Sequence, residues 1–328
     1  MLGGMFTMTN LLPGTKVYGG RLKDRKKLYD SSSGGAFTAI SDVFLTNDDA
    51  VVCASYNYLL HQQEYQIIYG VEERNAACGS KYMQSIPGDI FQKAETWLRE
   101  NPEKRLLFVG MGCQAAGFKS YIDMKGLRER VTIVDIICHG SPSPRIWREY
   151  AEYLEQSYGK IEYVSFKDKR KGWKVPTAFV KINCKEFSIQ PYVKIFYNRK
   201  ALRLSCHKCP YTTTERTTDI TIGDFWHIED KIPEQYDKFG TSLFIIHTDK
   251  GLCIFESAKQ SLTWFETNCR DCWQLNLEKP TPIAENRSEF WKDYNRGGIE
   301  YIIRKYGKET IKSRVKIRII KYLRKIFG

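Results

Sequence analysis

Four cysteines carry the spacing with the most chemical content: Cys206 and Cys209 in the run Cys206-His207-Lys208-Cys209-Pro210, and Cys113 and Cys138, each of which follows a hydrophobic β-like run. Thiolates are soft ligands, and four of them at one point suit either tetrahedral zinc or an iron-sulfur cluster. Spacing alone does not choose between the two. The buried strand expected at Arg105 to Val109 runs into Gly110-Met111-Gly112-Cys113-Gln114. Cys113 is therefore expected in the first turn of the next helix, where unpaired N–H groups and the helix dipole favour a thiolate or another anion. A second strand, Val131 to Ile137, runs into Cys138-His139-Gly140. Adjacent parallel strands present their carboxyl ends on one edge, which is where open α/β sheets bind ligands, so Cys113 and Cys138 are expected to be neighbours.

The remaining cysteines read differently. Cys269-Arg270-Asp271-Cys272 is a second C-x-x-C that could join Cys206 and Cys209 around zinc, although the spacer far exceeds the roughly 15 to 20 residues of a zinc ribbon. Cys53, Cys184 and Cys253 lie in apolar runs and are expected in the core. His139 and His207 adjoin candidate ligands, and His139 is the one candidate for a catalytic side chain. Three further segments are chemically suggestive: Ser31-Ser32-Ser33-Gly34-Gly35, which a ligand can approach closely; the polar loop Cys78 to Ser85; and Asp219 to Trp226, a strand end with a Gly-Asp turn and two aromatics able to border a planar cofactor.

The elements that position these residues follow an α/β pattern. A Ser-capped helix is expected at Ala36 to Leu45, then strands at Val51 to Tyr58 and Tyr65 to Val71. From Asp89 the order is helix (to Glu100), strand, helix (Gln114 to Ile122), strand, which implies parallel neighbours joined by a crossover. A helix at Pro144 to Tyr158, strands at Ile161 to Phe166, Thr177 to Ile182, Asp219 to Ile222 and Ser242 to His247, and helices at Lys250 to Gln260 and Glu289 to Lys305 complete the body. The expected fold is α/β: a mixed, partly parallel sheet with flanking helices and a C-terminal helical extension. Three regions are expected, at 1–90, 91–262 and 263–328. The 328 residues, 42% hydrophobic, supply ample core.

The net charge is +13. Much of the excess lies between Arg304 and Lys325, where ten basic residues face one acidic residue, Glu309, so nucleic acid is not an expected partner. Ile311, Val315, Ile319, Leu323 and Phe327 make that tail a basic amphipathic helix suited to an anionic membrane surface or a docking partner. No run approaches the roughly 18 apolar residues of a membrane span, and no signal peptide is evident. A cytoplasmic protein, peripheral to the inner face of the membrane through its tail, is expected, with its cysteines as thiols rather than disulfides.

Taken together, these motifs resemble the coenzyme F-420 hydrogenase/dehydrogenase beta-subunit family from about Val17 to Gly251. The residues that carry the resemblance are Ser31 to Gly35, Gly79 to Ser85, Phe108-Val109-Gly110 with Cys113-Gln114, Cys138-His139-Gly140-Ser141-Pro142-Ser143-Pro144, Cys206 with Cys209, and Asp219 to Trp226. The resemblance implies an FAD-dependent iron-sulfur oxidoreductase. Its flavin contacts would be Ser31, Ser32, Ser33, Gly34, Gly35, Ser80, Lys81, Tyr82, Gln84, Ser85, Gly110, Gln114 and Asp224. Its 4Fe-4S cluster would rest on Cys113, Cys138, Cys206 and Cys209, with Asp219 or Asp224 the substitute for one of them. Two departures stand out: relatives often begin with a cysteine-rich ferredoxin-like segment, whereas no cysteine precedes Cys53, and Gly112 stands where relatives commonly have Pro. The electron donor is therefore expected to be external, such as ferredoxin or a reduced deazaflavin. Relatives in bacteria occur near surface-polysaccharide genes, which suggests that setting for the reducible substrate. The competing reading is a zinc-stabilised basic binding protein for a membrane surface or nucleic acid.

Overall fold

The computed structural model describes residues 15–307. The expected amphipathic tail helix, Ile311 to Phe327, lies outside the described residues. Along the chain the strands are β1 (Lys16–Leu22), β2 (Ala50–Asn57), β3 (Gln62–Ile68), β4 (Ser85–Ile86), β5 (Leu106–Met111), β6 (Val131–Ile136), β7 (Ile161–Asp168), β8 (Thr177–Ile182), β9 (Lys185–Ser188), β10 (Ile220–Asp224), β11 (Ser242–Ile246) and β12 (Leu262–Thr267). Nine of them form one sheet in the order β12-β1-β11-β10-β6-β5-β2-β3-β4. Its centre, β10-β6-β5-β2, is parallel, and antiparallel pairs extend it on both sides. This is the mixed, partly parallel α/β sheet expected. Strands from the 1–90 and 91–262 segments are hydrogen-bonded neighbours in it, since β2 pairs with β5.

Alternation along each central strand sends side chains to two cores. Leu107 and Val109 face the helices Ala36–Leu45 and Asp249–Ala258, whereas Leu106 and Phe108 face Ile90–Glu100 and Gly112–Met124. A smaller sheet, β7-β8-β9, packs with helices Pro144–Tyr158, Gln190–Tyr197 and Arg287–Tyr306 around Trp147, Tyr192 and Phe290. The last of these helices is the described part of the C-terminal extension, and it breaks at Gly298, whose φ is 63°. Among the described residues, no helix is long and apolar enough to cross a membrane.

Several local expectations failed, some because a tertiary partner intervened and one because of a local cap. The helix at Ala36–Leu45 has no serine cap: Gly35 is its N-cap, with φ 88°. The serines are engaged elsewhere, Ser31 Oγ donating to Lys27 O (2.7 Å) and Ser33 Oγ to Thr241 O (3.0 Å). The strand expected to reach Val71 ends at Ile68, and Val71–Ala77 is helical. Glu73 drives that switch by accepting the N–H groups of Tyr69 and Gly70. Cys53 is buried, but Cys184 and Cys253 are exposed. Cys184 occupies the β8–β9 hairpin turn at φ 61°, and Cys253 lies on the outer side of its helix.

Asp219, a proposed substitute cluster ligand, is placed at the opposite end of β10 from the carboxyl edge. There it accepts from Arg128 Nη2 (2.7 Å), Thr248 Oγ1 (2.8 Å) and the backbone N–H of Ile133 (2.8 Å). A carboxylate so fully bonded is an anchor for the sheet's lower rim.

Further along β10, Thr221 Oγ1 donates to Asp135 Oδ1 (2.5 Å), so the Nε2–H of His247 donates to Thr221 Oγ1 (2.8 Å). Burial, then the nearby Arg216 charge, lower the His247 pKa from 6.5 to about 4. The unfolded chain therefore protonates this ring at a higher pH than the folded one, and stability falls as pH drops through that window. His247→Gln should lose about 2–3 kcal/mol less than the parent between pH 6.5 and pH 4. Urea titrations at several pH values measure this; parallel curves for parent and variant would rule it out.

Candidate functional site

Above the carboxyl ends of β5, β6 and β10 lies a cavity of about 490 Å³, within the usual range for small-molecule sites. It gathers segments far apart in the chain: Ser31, Ser32, Ser33 and Gly35; Gly79, Ser80, Lys81, Tyr82, Met83 and Ser85; Gly110 and Met111; Cys138, His139, Gly140 and Ser141; Gly223, Asp224 and Trp226. Three expected flavin contacts do not line it. Gly34 instead allows two backbones to meet, because a Cβ there would stand 2.3 Å from Ser242 N and 2.4 Å from Gly20 O. Gln84 N–H donates to Pro142 O (3.3 Å). Gln114 is buried behind the wall, accepting from Tyr65 Oη (2.8 Å) and donating to Ser85 O (2.7 Å).

The wall is aromatic on two sides. Tyr82 stacks on Phe196 with centroids 4.5 Å apart, and its hydroxyl shares a hydrogen bond with Tyr197 Oη (2.9 Å). Trp226 lines the cavity and packs on Trp173 (4.5 Å), while its neighbour Phe225 turns into the core. Lys167 Nζ lies 2.8 Å from Asp224 Oδ2 and over both Trp rings. None of Phe196, Tyr197, Lys167 or Trp173 was anticipated: each sits in an ordinary amphipathic or polar stretch, and nothing in its local pattern marks it.

Three cationic or titratable groups shape the interior. Lys81 Nζ donates to Ala77 O (2.6 Å) and Gly79 O (3.2 Å), leaving one N–H for a ligand; burial lowers its pKa against the opposing pull of the Cys53 and Cys78 thiols. Lys169 is buried with no carboxylate on its amine, donating to Leu28 O (2.5 Å), Ser33 O (2.9 Å) and Phe239 O (2.7 Å). Its pKa falls to about 7 through burial and then the nearby Lys167 charge. His139 has a buried Nδ1 with no partner, and burial, then Arg199 and His207, lower its pKa to about 4.

Cys138 also belongs to the wall, and behind it stand the other three cysteines. Met111 pairs with Ile136, so β5 and β6 deliver Cys113 and Cys138 to the same edge. Burial pushes the Cys138 thiol up to about 12, with Cys206, Cys113 and Cys209 adding repulsion against the opposing Gly140 N–H, 3.3 Å from its sulfur. Desolvation, then Cys209 and Cys206, raise the Cys113 thiol, although the residue is open to solvent. A Cβ on Gly140 would lie 3.1 Å from Cys206 Cβ. The four thiols thus share one neighbourhood. Among the described residues no three Cys, His, Asp or Glu side chains are close enough to hold a metal ion as they stand; a metal or cluster on these sulfurs would have to draw them together and displace their protons.

Asp224 is bonded to Lys167 on the cavity side, and His207 Nδ1 pairs with the Thr281 carbonyl (2.8 Å). Cys269 and Cys272 pack against Phe225, Leu243 and Ile245, in a cluster with none of the four.

The segment that carries Cys206 and Cys209 is tied to the sheet by Arg216. Its Nη1 lies 2.8 Å from Asp135 Oδ2 and its Nε donates to Thr213 O (2.7 Å), with both charged residues buried. Gly112 closes over the pair, since a Cβ there would stand 2.9 Å from Arg216 Nη1 and 3.1 Å from Asp135 Oδ2. A Pro at this position, expected in relatives, would meet the same atoms. Arg216 Nη2 is buried without a partner beside the turn that carries Cys113, a donor suited to an anionic group.

The family model for the C terminus of the coenzyme F420 hydrogenase/dehydrogenase beta subunit matches residues 103–268, half of the chain, including all four cysteines. The chain belongs to that family. Membership makes this beta-subunit relative an oxidoreductase of the hydrogenase/dehydrogenase type. No curated protein matches it significantly by sequence. In structure it is similar to a chain of the xenon-derivatised F420-reducing [NiFe] hydrogenase complex from Methanosarcina barkeri, with a TM-score of 0.52 and 15% identity over 93% of this chain and 94% of the other. That likeness concerns the fold.

Arg216→Met would leave Asp135 buried and unpaired, and should cost about 3–5 kcal/mol in urea unfolding followed by Trp fluorescence. Combining it with Asp135→Leu should recover at least about half of the loss. A single variant as stable as the parent would mean that the pair does not hold this segment.

Proposed function

We propose that the chain is an iron-sulfur flavoprotein oxidoreductase subunit, with FAD in the cavity and a 4Fe-4S cluster on Cys113, Cys138, Cys206 and Cys209. One observation carries the reading: Cys138 lies both on the cavity wall and within electrostatic reach of the other three thiols. The donor set fits in kind, being four thiols with an unpartnered buried guanidinium N–H close by. When bound, the cluster supplies one-electron transfer and the flavin couples it to two-electron, hydride-type chemistry.

The chain's residues do the rest. Tyr82, stacked on Phe196, and Trp226 offer flat apolar walls to a planar ring. The third N–H of Lys81 stabilises negative charge on a ligand in the cavity, and Lys167, paired with Asp224, adds a second positive charge on its wall. His139, held neutral by burial, lines the cavity as an uncharged ring rather than as a proton donor. The serine run is positioned by Lys169, whose amine grips Ser33 O, so its hydroxyls and N–H groups meet the ligand in fixed places.

The electron donor or acceptor is external, a ferredoxin, a reduced deazaflavin or a partner subunit. The exposed side chains of Cys113 and Leu204 mark the face nearest the cluster ligands, and this is where such a partner would approach.

The test is anaerobic purification with reconstitution, followed by a visible spectrum and iron, sulfide and flavin assays. Flavin bands with a broad iron-sulfur shoulder are expected. Cys138→Ser should lose the iron while retaining flavin, and Lys81→Met should weaken flavin binding about tenfold, as loss of one charge-assisted contact of roughly 1.4 kcal/mol or more would. A colourless protein that carries zinc would overturn the reading in favour of the binding-protein alternative.

A further inference from the structure

Cys269 and Cys272 have no part in the site described above, yet they form a second C-x-x-C pair with one residue buried and the other partly open. They occupy a turn that follows edge strand β12. Asn268 shapes that turn, its Oδ1 accepting the N–H groups of Arg270 (2.9 Å) and Asp271 (3.1 Å) while its backbone carbonyl accepts from Cys272 N (3.3 Å). Both sulfurs belong to one packed cluster. Cys272 is fully buried there among Val17, Phe225, Leu243, Ile245 and Leu277, and Cys269 packs on it from the partly open side.

We propose that Cys269 and Cys272 are a redox-active dithiol that exchanges with small-molecule disulfides of the glutathione type. The outer thiol is the attacking group and the inner one resolves. In the first step the Cys269 thiolate attacks one sulfur of the disulfide, forming a mixed disulfide and releasing one thiolate. Cys272 then loses its proton to that leaving thiolate and attacks the Cys269 sulfur, forming the Cys269–Cys272 bond and expelling the second thiol. Two protein thiols and one external disulfide become one protein disulfide and two external thiols, so two electrons and two protons leave the protein together.

The two environments support this order. Cys269 is the partly open member of the pair and Cys272 the buried one; the hydrogen bond from Cys272 lowers the Cys269 pKa, which favours ionisation of the outer thiol over the inner, while that same bond and burial raise that of Cys272. The pair also has an address. Two residues on, Gln274 lines the flavin cavity and donates to Asp224 O (3.0 Å), and Asn276 Nδ2 donates to Thr281 Oγ1 (3.0 Å), which in turn donates to His139 O (2.6 Å). A disulfide needs its sulfurs about 2.05 Å apart, so oxidation tightens the turn from which both cavity-wall residues emerge.

The experiment uses the full chain with excess oxidised glutathione, acid quenching, alkylation and peptide mapping, and its readout requires neither flavin nor cluster. The peptide spanning both residues should be recovered two hydrogens lighter, as an internal disulfide. In native reduced protein Cys269 should be alkylated at least about tenfold faster than Cys272. Cys272→Ala should accumulate a glutathione adduct on Cys269, and Cys269→Ser should leave Cys272 unmodified. Recovery of both thiols free after exposure to the disulfide would overturn the proposal, as would equal alkylation rates; both measurements are made on the unmutated protein and so survive a variant that does not fold.

Discussion

The buried ion pair between Arg216 and Asp135 is the constraint on which the site depends. Two charges so deep are costly to desolvate, and the cost is offset only while each has its partners. Asp135 has Arg216 and Thr221; Arg216 has Asp135 and the Thr213 carbonyl. Burial still raises the Asp135 carboxyl above its ordinary value, which shows how strongly the interior resists the charge. Because Asp135 belongs to β6, Thr221 to β10 and Arg216 to the loop after Cys209, the pair pins three separate parts of the chain at one depth. Gly112 lies against the same atoms, so the turn that presents Cys113 is located by it too.

A second buried cation organises the other side of the cavity. Lys169 binds the carbonyls of Leu28, Ser33 and Phe239, and so joins the serine loop, the end of a short helix and the segment before β11. Three carbonyls around one amine satisfy its donors without a counter-charge, which accounts for a lowered pKa in a residue that is nonetheless well bonded. Between Lys169 and Arg216 the walls are held by polar contacts, while the floor is the apolar surface of the parallel strands. Rigid positioning of that kind suits the proposed role, in which a planar ring would be held beside an electron carrier.

Much of this was readable from local pattern. The helices at 36–45 and 144–158 and the strand at 177–182 fall where periodicity placed them, because each buries one face with regular spacing. Parallel pairing of β5 with β6 followed from the strand-helix-strand order, and with it the shared edge of Cys113 and Cys138. What escaped were β1, whose partners β11 and β12 lie more than 200 residues away, the helix that supplies Phe196 and Tyr197, and the short helix Val71–Ala77, which a local cap from Glu73 starts. Cys184 and Cys253 were misjudged because an apolar run does not reveal which of its residues turn outward.

By itself the sequence determined the kinds of ligand available, the α/β order and the edge on which chemistry would gather, because residue types and hydrophobic period act within a few turns of chain. Only the tertiary structure decided which residues share that edge. It separated Asp219 from the thiols by the length of β10, turned Cys269 and Cys272 into a different core, and set Cys138 between the thiols and the cavity. Those outcomes rest on long-range pairings, β6 with β10 and Arg216 with Asp135, whose partners lie more than 80 residues apart. No local pattern encodes a contact made only after the sheet has closed.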